Sequence, residues 1–231
     1  MFLINLLATK SDSILFADDT EPSAARTPQC RPCLIVVWRL YDLAFAVTGC
    51  VVAAEKVSFS FKKRPILDSI SFNLNQGEIL GLLGPNGVGK STIFNLITGL
   101  LKPNYGSIII NNKNVLNYPI AERATAFKIG YVPQYGGYFH DLTLIENLNA
   151  IAEIQIIDKQ TRISTIEKII AKFEFDSIIN IPAKFLSGGQ KKKLVIALAL
   201  LGDPKILLLD ECFAALDVLT IQMLQKIIVN L

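Results

Sequence analysis

The rhythm of apolar and polar positions changes along this chain, and it marks out elements before any chemistry enters. From Glu55 to Glu78 the runs K-V-S-F-S-F and P-I-L-D-S-I-S-F-N-L alternate with period two around a basic Lys62-Lys63-Arg64 turn, which predicts an antiparallel hairpin. Ile79, Leu80, Leu82 and Leu83 follow as an apolar run and predict a buried parallel strand. Ile93, Leu96, Ile97, Leu100 and Leu101 keep helical spacing as far as the stop at Lys102-Pro103-Asn104-Tyr105-Gly106. Strands are predicted at 107–111 and 129–133. Thr143 and Glu146 form a capping box that opens a helix running through Leu148 and Ile151, and a second helical pattern covers about 161–174. Residues 142–185 therefore read as a mainly helical insertion. Another helix opens after Leu186-Ser187-Gly188-Gly189-Gln190, an apolar strand at 205–209 ends in Asp210-Glu211, and Ile221, Leu224, Ile227, Ile228 and Leu231 mark a last helix. Strands alternating with helices predict an α/β fold.

Composition alters this picture mainly at the N-terminal end. The 231 residues are 51% apolar and 19% charged, as expected of a globular chain. Residues 8–33 are polar and rich in Pro, Ser, Thr and Ala without any period, so they read as disordered. Cys30-Arg-Pro-Cys33 has C-x-x-C spacing, but no second pair or histidine follows at zinc spacing, and it reads as incidental. Residues 34–54 are long enough to cross a bilayer, yet Arg39 and Asp42 each cost about 2.5–3.5 kcal/mol near a membrane centre. Residues 1–52 are expected to be an extra segment outside the functional domain, which spans 53–231. The net charge of +3, without a basic stripe or arginine-rich arm, argues against nucleic acid as a partner. Four irregularly spaced cysteines give no disulfide framework.

The chemistry gathers at four places. Gly84-Pro85-Asn86-Gly87-Val88-Gly89-Lys90-Ser91-Thr92 fits G-x-x-x-x-G-K-[ST] between a strand and a helix start, the pattern of a phosphate-binding loop. Its glycines let backbone N–H groups turn onto a polyphosphate, Lys90 brings positive charge to the β- and γ-phosphates, and the Ser91 hydroxyl is suited to Mg²⁺. Gln134, at the tip of the strand ending in Pro133, can reach a metal or a water without adding charge. Ser187 before two glycines makes a second anion-seeking helix start, with Lys191 to Lys193 expected as a solvated first turn. Asp210 is placed to hold Mg²⁺ and Glu211 to polarise the water that attacks the γ-phosphate, because ligands of doubly wound sheets sit at the carboxyl ends of strands. Phe61 reads as a core residue, with a purine-stacking platform as the alternative. His140, the sole histidine, reads as a surface or contact residue.

Together, G-P-N-G-V-G-K-S-T, the Gln134 loop, L-S-G-G-Q and I-L-L-L-D-E followed by A-A-L-D217 resemble the ATP-binding subunits of ABC transporters over about residues 53–231. The segments I-G-Y-V-P-Q-Y-G-G-Y-F-H-D-L-T-L-I-E-N-L and L-L-L-D-E-C-F-A-A-L-D-V-L-T look like the LptB-type ATPases of lipopolysaccharide export, with branched-chain amino-acid importer ATPases as relatives. The resemblance implies a phosphate-loop NTPase (RecA-like) core with an antiparallel β subdomain and a helical subdomain. It implies a head-to-tail homodimer in which Leu186, Ser187, Gly188, Gly189 and Gln190 of one copy close over ATP and Mg²⁺ held by the other. It also makes Phe61 an adenine-stacking residue and Asp217 part of a loop that signals across the dimer. Gln134 and the aromatic Tyr135, Tyr138 and Phe139 would meet separate transmembrane permease subunits on the cytoplasmic face of the inner membrane. Cys212 stands where the family usually has proline, Leu198 where arginine is common, and the family's switch histidine has no counterpart, so the chain is expected to be C-terminally truncated. Three functions follow as readings: an export ATPase, with a branched-chain importer ATPase as its alternative; a soluble ABC ATPase of translation or DNA repair; or a nucleotide-binding fragment without turnover.

Overall fold

A computed structural model describes residues 37–38, 50–76, 78, 80–82, 84, 87–213, 216 and 218–229. In chain order its elements are β1 (Val37–Trp38), β2 (Cys50–Phe61), β3 (Arg64–Asn75), α1 (Lys90–Thr98), β4 (Tyr105–Ile110), β5 (Lys113–Asn114), α2 (Ile120–Ala126), β6 (Ile129–Val132), α3 (Leu144–Gln155), α4 (Lys159–Phe173), a short 3₁₀ turn at Ala183–Phe185, α5 (Gly188–Leu200), β7 (Ile206–Leu209) and α6 (Val218–Val229).

The alternating segment folds as its period predicts. β2 and β3 pair antiparallel from Cys50↔Asn75 to Phe61↔Arg64. Lys62 and Lys63 both take positive φ, 45° and 70°, the backbone of a two-residue hairpin turn whose twist suits the flanking strands. β4 pairs with the other edge of β2 and carries β5, so the sheet order is β3-β2-β4-β5. One face of this sheet buries Val52, Leu74, Ile108 and Ile110 in the same core as Ile93, Phe94, Leu96 and Ile97 of α1.

A second sheet has the order β1-β7-β6. All four residues of β7 are buried, as an unbroken apolar run demands of a strand covered on both faces. Ile206 and Leu208 join the core under α1, while Leu207 and Leu209 join a second core built from Val132, α3, α4 and α5. β6 lies parallel to β7, from Ile129↔Ile206 to Val132↔Leu209, so the two strands end side by side. Gly130 permits close packing of α5 on β6, since a Cβ there would lie 2.7 Å from the Ala199 carbonyl oxygen. The Thr143–Glu146 capping box forms and opens α3, and α4 covers the second helical pattern.

Three features depart from the expected layout. In the segment expected as the strand before the phosphate loop, Leu80 makes only an isolated bridge and Gly81 and Leu82 lie outside any strand; Ile79 and Leu83 are outside the described residues. The edge of β7 away from β6 is paired antiparallel with β1, Val37 opposite Leu208. A buried strand needs partners for the N–H and C=O groups on both edges, and sequence periodicity does not say which apolar run supplies them. β2 also starts at Cys50, three residues before the expected domain start, with Val52 fully buried. Short α2 and β5 carry too few apolar positions to show a period, so neither was expected from the sequence.

Candidate functional site

The helix start at Lys90 is shaped by its glycines. Gly89 caps α1 with φ 107°, a conformation that L side chains rarely adopt, and a Cβ there would lie 2.7 Å from Leu67 Cδ2. The capping glycine has no side chain to accept at this end and no acidic residue occupies the first turn, so an anion placed there would meet the positive end of the helix dipole. Gly87 also takes positive φ, 82°, and a Cβ there would meet nothing within 4 Å. Lys90 Nζ donates to the Gly84 carbonyl oxygen at 2.8 Å, closing the loop on itself. Ser91 is exposed in the first turn, while Gly84, Val88 and Thr92 are half-buried. Pro85 and Asn86 lie outside the described residues.

The parallel pairing of β6 and β7 brings Gln134 and Glu211 together: Gln134 Nε2 donates to Glu211 Oε2 at 2.5 Å. Asp210 N–H donates to the Val132 carbonyl at 2.9 Å and extends the ladder past the last strand residue. The Asp210 side chain is 4% exposed and accepts a hydrogen bond from the Tyr131 hydroxyl. Burial first, then the neighbouring Asp210 carboxylate, pushes the Tyr131 phenol up to about 12, so it remains a donor. Phe94 of α1 packs against the Tyr131 ring with centroids 6.2 Å apart, which ties the phosphate-loop helix to the residue that holds Asp210. Glu211 itself takes φ 47°, an uncommon backbone for a residue with a Cβ.

The Ser187 helix start is built differently. Ser187 Oγ accepts from Gln190 N–H at 3.2 Å, and Gln190 Oε1 accepts from Ser187 N–H at 2.8 Å, a reciprocal capping box. Leu186 is buried beneath it, and Gly188 is exposed, where a Cβ would meet nothing within 4 Å. Lys191 to Lys193 are half-buried, which corrects the expectation of a solvated turn. Lys191 Nζ donates to the Lys184 carbonyl at 3.0 Å, and Lys192 Nζ to the carbonyls of Gln134 at 2.8 Å and Pro133 at 3.5 Å. Lys192 turns toward the end of β6 because α5 packs on that strand, a tertiary contact that charge alone does not reveal. Burial lowers the Lys192 pKa, opposed by Cys212, Asp210 and Glu211. Cys212 is buried, and its thiol is pushed up to about 12 by that burial, so it is neutral here.

Phe61 is 58% exposed at the end of β2, with Lys62 Nζ 5.8 Å from its ring centroid, so the core reading is replaced by an open aromatic face. His140 is exposed, and its ring lies 4.7 Å from that of Tyr138. Tyr135 is 82% exposed and Phe139 half exposed. Asp217 lies outside the described residues. Two side chains at the site have no counterpart among the sequence expectations, Tyr131 and the fully buried Asn147, and Lys192 takes a place other than the one expected. The Asn147 amide accepts from Phe139 N–H and donates to the Phe139, Leu142 and Thr143 carbonyls, which holds the aromatic loop on α3. An asparagine at a core-facing helical position was the available signal for it.

The family model for the ABC transporter matches residues 67–214. The chain is 37% identical over 182 residues to the lipopolysaccharide export system ATP-binding protein LptB of Haemophilus influenzae, covering 78% of this chain and 75% of that protein. The protein of the same name from Escherichia coli K12 is 33% identical over 181 residues, with the same coverage. Among solved structures, cbiO1 from Clostridium perfringens, part of the ABC transporter complex cbiONQ, superposes with a TM-score of 0.66 at 28% identity, over 78% of this chain and 72% of that one. An ATP-binding cassette of an ABC transporter in its ADP conformation gives 0.64 at 28%, over 78% and 75%. By family match, identity and fold together, this chain belongs to the ATP-binding cassettes of ABC transporters.

Proposed function

We propose that this ATPase, coupled to transport as its family is, powers export of lipopolysaccharide from the inner membrane. The observation that carries the hydrolytic part is the hydrogen bond between Gln134 and Glu211 beside the phosphate-loop helix; the cargo rests on likeness to the LptB proteins. ATP is held by the loop from Gly84 to Thr92, with Lys90 at its β- and γ-phosphates and the exposed Phe61 face under the adenine. Oxygen donors on Ser91, Gln134 and Asp210 suit Mg²⁺, which is usually held by few protein oxygens and by substrate phosphates. Mg²⁺ supplies charge neutralisation at the transferring phosphoryl group. Glu211 accepts a hydrogen bond from the attacking water and takes its proton as the water oxygen bonds the γ-phosphorus. The bond to the β–γ bridging oxygen breaks, leaving ADP and phosphate.

The working unit is a head-to-tail homodimer in which Leu186, Ser187, Gly188, Gly189 and Gln190 of one copy close over the partner's nucleotide, with Asp217 signalling between copies. Residues 53–231, with the β2 start at Cys50, form the ATPase domain, 142–185 its helical subdomain and 1–52 an extra segment. ABC ATP-binding subunits work with transmembrane partners, and the exposed Tyr135 and Phe139 beside Gln134 form the docking face for them. Among the described residues no helix is long and apolar enough to cross a membrane. Through those partners the chain acts from the cytoplasmic face, a reading that rests on likeness to the LptB proteins.

Depletion of the chain in its source cell tests the proposal. Lipopolysaccharide is expected to accumulate in the inner membrane and to be cleared by the unaltered chain but not by Glu211→Gln. An unchanged distribution between the membranes overturns the cargo, and rescue by Glu211→Gln overturns the hydrolytic role.

A further inference from the structure

Lys192 lies one turn into α5, the helix that Ser187 caps, and its side chain is half-buried rather than fully solvated. It donates instead to two main-chain carbonyls just past the end of β6, those of Gln134 and Pro133. These carbonyls lie beyond the last β6–β7 pair, Val132↔Leu209, so the strand ladder does not hold them. A half-buried main-chain carbonyl needs a donor, and a half-buried ammonium needs acceptors. Each therefore stabilises the other's position, and moving the Gln134 backbone away strands both. The carboxylates of Asp210 and Glu211 lie close enough to act on the same ammonium, and the Gln134 side chain meets Glu211. One cation thus joins the α5 helix, the Gln134 main chain and the acidic end of β7.

We infer that Lys192 is a positioning residue for ATP hydrolysis: it holds the Gln134 main chain so that the Gln134 amide stays registered against Glu211, and it ties that pair to the helix bearing Ser187 and Gly188. The inference rests on the reading of Gln134 and Glu211 as the hydrolytic pair. Lys192 touches neither nucleotide nor water in this role; it acts through Gln134. A misplaced catalytic group costs turnover with little effect on ground-state nucleotide binding, because binding is carried by Lys90 and the loop.

Steady-state ATP hydrolysis and binding of a fluorescent ATP analogue by the full chain test this, using Lys192→Met, Lys192→Arg, Gln134→Ala, the double variant and Glu211→Gln. Lys192→Met is expected to lower kcat by roughly ten- to a hundredfold with KM and analogue affinity within about twofold. Lys192→Arg, which keeps a cation and its donors, restores most of the rate. The double variant of Lys192→Met with Gln134→Ala falls no further than Gln134→Ala alone, since residues acting through one another are not additive. Unchanged kcat, a loss confined to KM, failure of arginine to restore turnover, or full additivity overturns the inference. If Lys192→Met has no cooperative melting transition, Lys192→Gln is measured in its place against the same outcomes. Turnover that survives Glu211→Gln, or no turnover in the unaltered chain, overturns the hydrolytic reading itself and this inference with it.

Discussion

Two helices in this molecule begin at glycines, and they begin in opposite ways. At α1 the cap is Gly89 with φ 107°, which has no side chain to offer the first-turn N–H groups. At α5 the cap is Ser187, and its hydroxyl and the Gln190 amide satisfy one another's backbone donors. The first takes its shape from a left-handed glycine in a turn suited to an external anion; the second closes a capping box through Ser187 and Gln190 and presents an exposed Gly188 beside it. Helix starts with similar composition can therefore serve different ends, one as a cradle and one as a rigid surface offered to another molecule.

The comparison breaks most visibly at the glycines. Gly89→Ala forces a Cβ into left-handed backbone and toward the buried Leu67 side chain, and is expected to cost about 1–3 kcal/mol in urea unfolding. Gly188→Ala, with no positive φ and open space around it, is expected within about 0.5 kcal/mol of the unaltered chain while still slowing dimer-dependent turnover. Equal destabilisation by the two would mean that the starts are not distinct. Ser187→Ala removes the hydroxyl half of the capping box and is expected to cost about 1 kcal/mol of stability. The remaining effect shows only at high pH and concerns the support behind α1. Tyr131 has a raised pKa, so its contribution is fully present below the ordinary tyrosine value near 10 and is lost as pH rises toward about 12. Tyr131→Phe should flatten the decline in unfolding midpoint between pH 10 and 12; an unchanged slope removes Tyr131 from that role.

Much of the candidate site was legible because its signals are local. Gly-x-x-x-x-Gly-Lys-Ser states its own backbone requirement, and Ser187 with Gln190 and Thr143 with Glu146 state their boxes three residues apart. An apolar run ending in Asp210-Glu211 already describes a buried strand with carboxylates at its tip. Lys191 to Lys193 misled for the same reason: locally they are three charges on a first turn, and only the packing of α5 on β6 turns Lys192 toward Gln134. Phe61 misled in the other sense, as an aromatic in an alternating strand that the end of the hairpin leaves open.

By itself the sequence determined the α/β alternation, the helix starts and the residue types suited to phosphate, metal and water, since each depends on neighbours within a few positions. Tertiary structure decided which of those residues meet: Gln134 with Glu211 across 77 positions, Lys192 with Gln134 across 58, and Tyr131 with Asp210. It also decided that Val37–Trp38 lines the edge of β7. These pairings are settled by parallel register and helix-on-sheet packing, where burial selects one arrangement of distant segments, and no short-range period encodes that choice.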